Sequence, residues 1–261
     1  MILLFTLLLS AIPTDFNDLS SPAVDVLKSL PSVVSVEVVP AKIEPKRRII
    51  HLLNWHFVPF EQFSTDLNGL REEPLSEDEL FDEFQSFRDD VQAVQDEQEK
   101  LLRELTRNHK LQKLYCEGLT VEETEDYKKF LATLKKHGER VNEGDTDIDR
   151  LLRWQYKNDL LMVGTPGKLM MAGQLDQVLP TETEKSIKDG APFDAKGNVK
   201  LDADKIEKRE DVIVEHLLKG ESVVFVILGG AHDLSNNIPD DCEYIRVATK
   251  KYNEIVQPNV E

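Results

Sequence analysis

Three stretches of this chain each close on one ionisable side chain flanked by small or aromatic residues. They are Asn54-Trp55-His56, Cys116-Glu117-Gly118 and Gly229-Gly230-Ala231-His232-Asp233. Each follows an apolar, strand-like run. Open α/β sheets place ligands beyond the carboxyl ends of their strands, so these three side chains are expected to meet at one sheet edge. Two imidazoles and a carboxylate there could do either of two kinds of chemistry. They could hold a divalent cation with positions left open for water. Alternatively, a histidine could serve as general base while the glutamate orients or charges it. The glycines before His232 and after Glu117 let the backbone turn sharply or approach a ligand closely.

The elements that must position these groups follow from hydrophobic periodicity. Val33–Val39 alternates and is β-branched, which predicts a strand stopped by Pro40. Residues 48–58 hold Ile49, Ile50, Leu52, Leu53 and Trp55, a second strand ended by Pro59. His51 lies five residues before His56 on that strand, so it faces the other side and reads as structural. Ser76 and Glu79 form a capping box that opens a helix to His109. Along it Leu80, Phe84, Phe87, Val91, Val94, Gln98, Leu101 and Leu105 recur in steps of four and three, an apolar stripe of heptad spacing. That stripe either lies on the core or forms a helical-hairpin or dimer seam. Lys113–Gly118 is a short strand, and Thr120 with Glu123 caps a helix to about Arg140. A helix from Ile148 to Met162 is interrupted by Gly164-Thr165-Pro166-Gly167. Leu175–Leu179 is a short strand before Pro180, and residues 190–197 read as a surface loop. A helix runs from Asp204 to Lys219. Ser222–Leu228 is a continuous apolar strand, as expected at the centre of a sheet buried on both faces, and Tyr244–Ala248 is the last strand. The expected fold class is therefore α/β: a mostly parallel central sheet with flanking helices and one long amphipathic helix. Residues 1–12 read as an export segment, 13–32 as a linker, and 33–261 as a single domain with a helical region at 76–163.

Composition narrows the function classes. The net charge of −17, from 49 acidic against 32 basic residues, repels phosphate backbones and anionic lipid, so nucleic acid is not an expected partner. The two cysteines, Cys116 and Cys242, are too few for a disulfide framework or a cysteine zinc site; both read as buried thiols. The apolar run Ile2–Leu9 has signal-peptide length and is far too short to span a membrane. It is read as an export signal, placing the protein in the periplasm or outside the cell; a buried N-terminal element of a cytoplasmic protein is the alternative.

The motifs also have a family pattern. In order, Leu53-Asn54-Trp55-His56, Leu114-Tyr115-Cys116-Glu117-Gly118, Arg209-Glu210-Asp211 and Gly229-Gly230-Ala231-His232 resemble the superfamily that unites Tiki proteases, TraB/PrgY proteins, erythromycin esterases and ChaN-like haem-binding proteins. They span residues 47–235. Leu53 and Asn54 stand where that family usually carries glycine and an acidic or hydroxyl residue. The resemblance implies roles for His56, Glu117, Arg209 (at a helix start) and His232 in a hydrolase acting on a peptide or ester bond. It leaves open whether His56, Glu117 and His232 bind a divalent metal ion or work without one, with Arg209 pairing Glu117 or stabilising an oxyanion. A ChaN-like alternative binds haem or another ligand without turnover, with Met162, Met170, Met171 and Tyr156 as candidate pocket residues. A third is a secreted interaction protein that uses the heptad helix as its contact.

Overall fold

The computed structural model describes residues 15–16, 18–141, 144–190 and 202–256. The export segment at 1–12 lies outside them, as does most of the expected loop at 190–197. Six strands form one sheet in the order β1-β6-β2-β5-β3-β4. Strands β2 (Arg47–Asn54), β3 (Lys113–Thr120), β4 (Gln177–Glu182), β5 (Val223–Gly229) and β6 (Cys242–Thr249) run parallel. The edge strand β1 (Val33–Val39) is antiparallel to β6. The α/β class read from the sequence is the fold observed, a mixed but mostly parallel sheet flanked by helices.

β5 sits between β2 and β3, and all seven of its residues are buried. Its unbroken Val-Val-Phe-Val-Ile-Leu run fits a central strand with helices on both faces. On one face Leu101, Leu102 and Leu105 meet Ile50, Leu52, Phe225 and Ile227; on the other Ile213, Val214 and Leu217 meet Ile49, Val224 and Val226. Within the expected linker at 13–32, the described residues include helix α1 (Ala23–Ser29), and Phe16, Ala23, Leu27 and Leu30 are buried in the first of those clusters. The second strand also ends earlier than expected. Pro59 caps a further helix, α2 (Phe60–Gly69), and the chain between Asn54 and Pro59 is an irregular loop that carries His56.

Helix α3 (Glu77–Asn108) is 32 residues long and opens on the Ser76/Glu79 capping box, both arms of which are formed. Of its heptad stripe, all but Phe87 are buried, and Phe87 packs against Trp55, Phe57 and Phe63. The chain's own core covers the stripe, so it is no seam left free for a partner. Helix α4 spans Thr124–Gly138. Helix α5 (Asp147–Met171) is two helical segments joined at a kink where the interruption is expected: Gly164 (φ 62°, ψ −170°) leaves the helical conformation, and Pro166 follows it. After β4 come α6 (Glu184–Gly190) and α7 (Ala203–Leu218), and α8 (Lys250–Val256) closes the described chain. Cys116 and Cys242 are unbridged, and burial pushes both thiols up to about 12. Among the described residues no helix is long and apolar enough to cross a membrane.

Candidate functional site

Four adjacent parallel strands each deliver a site residue from the carboxyl edge. Beyond the end of β2 stands His56, beyond β5 His232, near the end of β3 Glu117, and at the end of β4 Glu182. Helix α7 adds Arg209 and Glu210. Arg209 is the seventh residue of α7, so it projects from within the helix and not from its first turn.

Glu117 is the hub. Its Oε2 accepts from His56 Nε2 at 2.8 Å and from the Gly229 N–H at 2.5 Å. Its Oε1 accepts from His232 Nε2 at 3.0 Å and from Arg209 Nη2 at 3.1 Å. Burial works against the charged carboxylate, but the two imidazoles outweigh it and hold Glu117 well below the ordinary carboxylate range. Arg209 also reaches Glu182, by Nε to Oε1 (2.5 Å) and Nη2 to Oε2 (2.9 Å). One guanidinium thus lies between two carboxylates that would otherwise repel. Gly118 has φ 77°, a left-handed conformation natural to glycine, and donates its N–H to Glu182 Oε2.

The two histidines differ in kind. His232 is almost buried; its Nδ1 faces Glu210 Oε1 at 2.9 Å while its Nε2 faces Glu117. Two carboxylates need two N–H donors, so the ring is an imidazolium. Burial opposes that charge, yet the hydrogen bonds to Glu117 and Glu210 push its pKa up to about 9. The side chain of His56 is 43% exposed. Its Nε2 is taken by Glu117, and its Nδ1 lies 3.3 Å from Asn54 Nδ2. Asn54 is itself oriented from α3: Gln98 Nε2 donates to Asn54 Oδ1 (3.1 Å) and to Leu53 O (3.0 Å), and Gln98 Oε1 faces the Thr165 hydroxyl. Asn54 therefore presents its N–H₂ to His56 Nδ1, which must offer a lone pair. Neutral His56 carries its proton on Nε2. For the charged form of His56, desolvation is outweighed by Glu117, and its pKa is raised above 6.5.

The three residues expected to converge do so, and Arg209 joins them by pairing Glu117 and Glu182. The set does not fit a divalent cation. Both Nε2 atoms aim at separate oxygens of Glu117 and not at a shared point. Each of those oxygens already takes two donors, and on Oε1 one of them is the permanent cation Arg209. Among the described residues no trio of His, Cys, Asp or Glu is arranged as a metal site. The methionine pocket expected for haem does not form either. Met170 and Met171 pack with Tyr156 against Leu131, Leu134 and Val163, while Met162 is exposed elsewhere.

Glu182 and Glu210 are not among the site residues expected from sequence. Pro180 reads as a strand stop, but β4 is an edge strand, where proline is tolerated, and it runs on to Glu182. Continuing the strand two residues applies the same strand-end rule and reaches Glu182. Glu210 lies in a heavily charged helix, where only tertiary packing separates it from its neighbours. His51 is fully buried between the Tyr244 hydroxyl (2.7 Å) and Leu228 O; burial drives its pKa down to about 3, so it is a neutral structural group.

The glycine pair before His232 has a steric basis. A Cβ on Gly229 would press on His56 Nε2 and Glu117 Oε2, and one on Gly230 would overlap the Tyr252 hydroxyl. Tyr252 is buried. Gly230→Ala is expected to lower stability by about 1–3 kcal/mol, read as a drop in the denaturant midpoint at unchanged slope; a midpoint equal to wild type would contradict the packing described. No family model matches this chain, and neither does any curated protein or solved structure.

Proposed function

We propose that the chain is a metal-independent hydrolase of ester bonds, with His56 as its catalytic residue. The observation that carries this reading is the asymmetry of His56, a side chain 43% exposed: Nε2 is held by a buried, ionised Glu117, and Nδ1 keeps a lone pair whose neighbour is the Asn54 amide. A carboxylate that fixes the tautomer and steadies the charge of an imidazole base is the arrangement hydrolytic sites use. A water that displaces the Asn54 N–H₂ from the single lone pair of Nδ1 gives its proton to His56 as its oxygen bonds to the ester carbonyl carbon, whose C=O π pair moves onto oxygen. Collapse of the tetrahedral adduct breaks the carbonyl–alkoxy bond. The proton on Nδ1 then passes to the departing alkoxide, leaving acid and alcohol. Glu117 stabilises the transient imidazolium, while Arg209, His232, Glu182 and Glu210 position Glu117 and touch no substrate. Esters are favoured over peptides because an alkoxide leaves more readily than an amide nitrogen. The donor set is also closed on itself, with no convergent lone pairs to hold a Lewis acid against a carbonyl.

Purified protein is expected to hydrolyse members of a p-nitrophenyl and naphthyl ester panel in the presence of chelator. His56→Ala should lower kcat/KM by about 10²–10⁴-fold with the fold retained by circular dichroism. Unchanged turnover in His56→Ala, or activity abolished by chelator and restored by a divalent metal, would overturn the reading.

A further inference from the structure

One residue past His56, the chain enters a cleft of about 250 Å³ between the start of α2 and the middle of α5. Its walls are Phe57, Phe60, Trp154 and Met162, and Asn158 also lines it. Two polar atoms of this lining are buried without any partner: Asn158 Oδ1, an acceptor on a side chain nine-tenths buried, and Trp154 Nε1, a donor. Native proteins leave few such groups unpaired, because each costs the desolvation of a hydrogen bond never made. The acceptor and the donor sit on lining residues one turn apart on α5, closed off from solvent, and such a pair is complementary to a single hydroxyl, which can both give and take. Met162 is half exposed at the mouth, and its flexible side chain can yield to a ligand. Glu61 and Asp159 stand at the rim, which disfavours an anion. The cleft suits a neutral, ring-sized apolar group.

We infer that this cleft, which begins at the residue after His56, is a subsite for a neutral, hydroxyl-bearing aromatic or alicyclic group, bound by Phe57, Phe60, Trp154 and Asn158. The inference rests on the hydrolase reading only in calling that group part of the substrate; its occupancy by such a ligand does not depend on turnover.

The probes are 2-naphthol and 2-methoxynaphthalene, which differ in the hydroxyl proton. The chain has two tryptophans, so its ¹⁵N spectrum has two indole cross-peaks, and Trp55 serves as the internal control. In wild type and in His56→Ala alike, 2-naphthol should shift the Trp154 indole peak saturably. It should bind about tenfold more tightly than the methoxy compound. Asn158→Leu should erase that preference while keeping the apolar contacts. A Trp154 peak that does not move with 2-naphthol overturns the inference, as does equal binding of the two probes to wild type. Because His56→Ala is inactive under the hydrolase reading yet should still bind, failure of one idea is distinguishable from failure of the other. Loss of turnover on every ester with 2-naphthol binding intact would sink only the hydrolase.

Discussion

Glu117→Gln should reduce ester hydrolysis by about 10³–10⁴-fold and lower stability by about 3–5 kcal/mol, the largest effects of any single isosteric change in this protein. The carboxylate accepts four hydrogen bonds, two on each oxygen, and gives none. A glutamine has one oxygen and one N–H₂ group. Whichever way the amide turns, its N–H₂ meets two donors: either His56 and Gly229, or Arg209 and His232. If it meets His56, the imidazole tautomer reverses and Nδ1 loses its lone pair. If it meets Arg209 and His232, two cations lose their shared partner. The assay is kcat/KM on the best ester of the panel together with chemical unfolding. Wild-type turnover in the Glu117→Gln protein would show that Glu117 does not orient the base. An unchanged unfolding midpoint would show that the hub contributes little to the fold.

The second expectation concerns pH, with activity and stability peaking in different ranges. His56 must be neutral to accept a proton, and its pKa is raised above 6.5, so kcat/KM should climb about tenfold per unit below that pKa and then level off. His232 must stay charged to hold Glu117 and Glu210, and it loses its proton around pH 9, where activity should decline again. The stability contributions have their own signs. Because the pKa of His232 is raised, its contribution is complete below 6.5 and is lost as pH rises through about 9. Because that of Glu117 is depressed, its contribution is complete above 4.5 and is lost only as pH falls through its lowered value. Stabilisation by the hub is therefore greatest between about 4.5 and 6.5, below the range of maximal turnover. Denaturant midpoints and kcat/KM followed across roughly pH 4–10 test both. Coincident maxima, or activity that rises toward acid, would contradict these charge assignments.

Much of this is legible from sequence because the fold class itself says where to look. In a mostly parallel sheet the carboxyl ends share an edge, so His56, Glu117 and His232 can be paired across 176 residues from His56 to His232 with no contact information. The chemistry of each is less legible. Which histidine is the base depends on what faces each ring nitrogen. For His232 that is Glu210, on a helix whose surface residues are charged throughout. For His56 it is Asn54, oriented through Gln98, a polar residue in an apolar heptad position. Gln98 reads as packing within the stripe, while its amide in fact ties α3 to the end of β2. Helix α2 is hidden for a local reason: Phe60–Gly69 contains Ser64, Thr65, Asn68 and Gly69, weak helix formers, and it has no buried residue of its own. Its aromatic face is held by Phe84 and Phe87 of α3, a tertiary cause that no local pattern records. The reversed direction of β1 is similar, since alternation marks a strand without saying which way it runs.

The placement of the two thiols has a consequence for where this architecture can persist. Cys116 lies on β3 and Cys242 on β6, with β5 and β2 between them. Three steps of roughly 4.8 Å separate them by about 14 Å across the sheet alone, twice the Cα separation a disulfide tolerates, and Cys242 is level with Arg47 while Cys116 is level with Leu52, which adds to it. Neither sulfur is an ionised nucleophile near neutrality. The hydrogen-bonded centre is assembled without any covalent staple, so a glutathione-buffered interior and an oxidising exterior would encounter the same molecule.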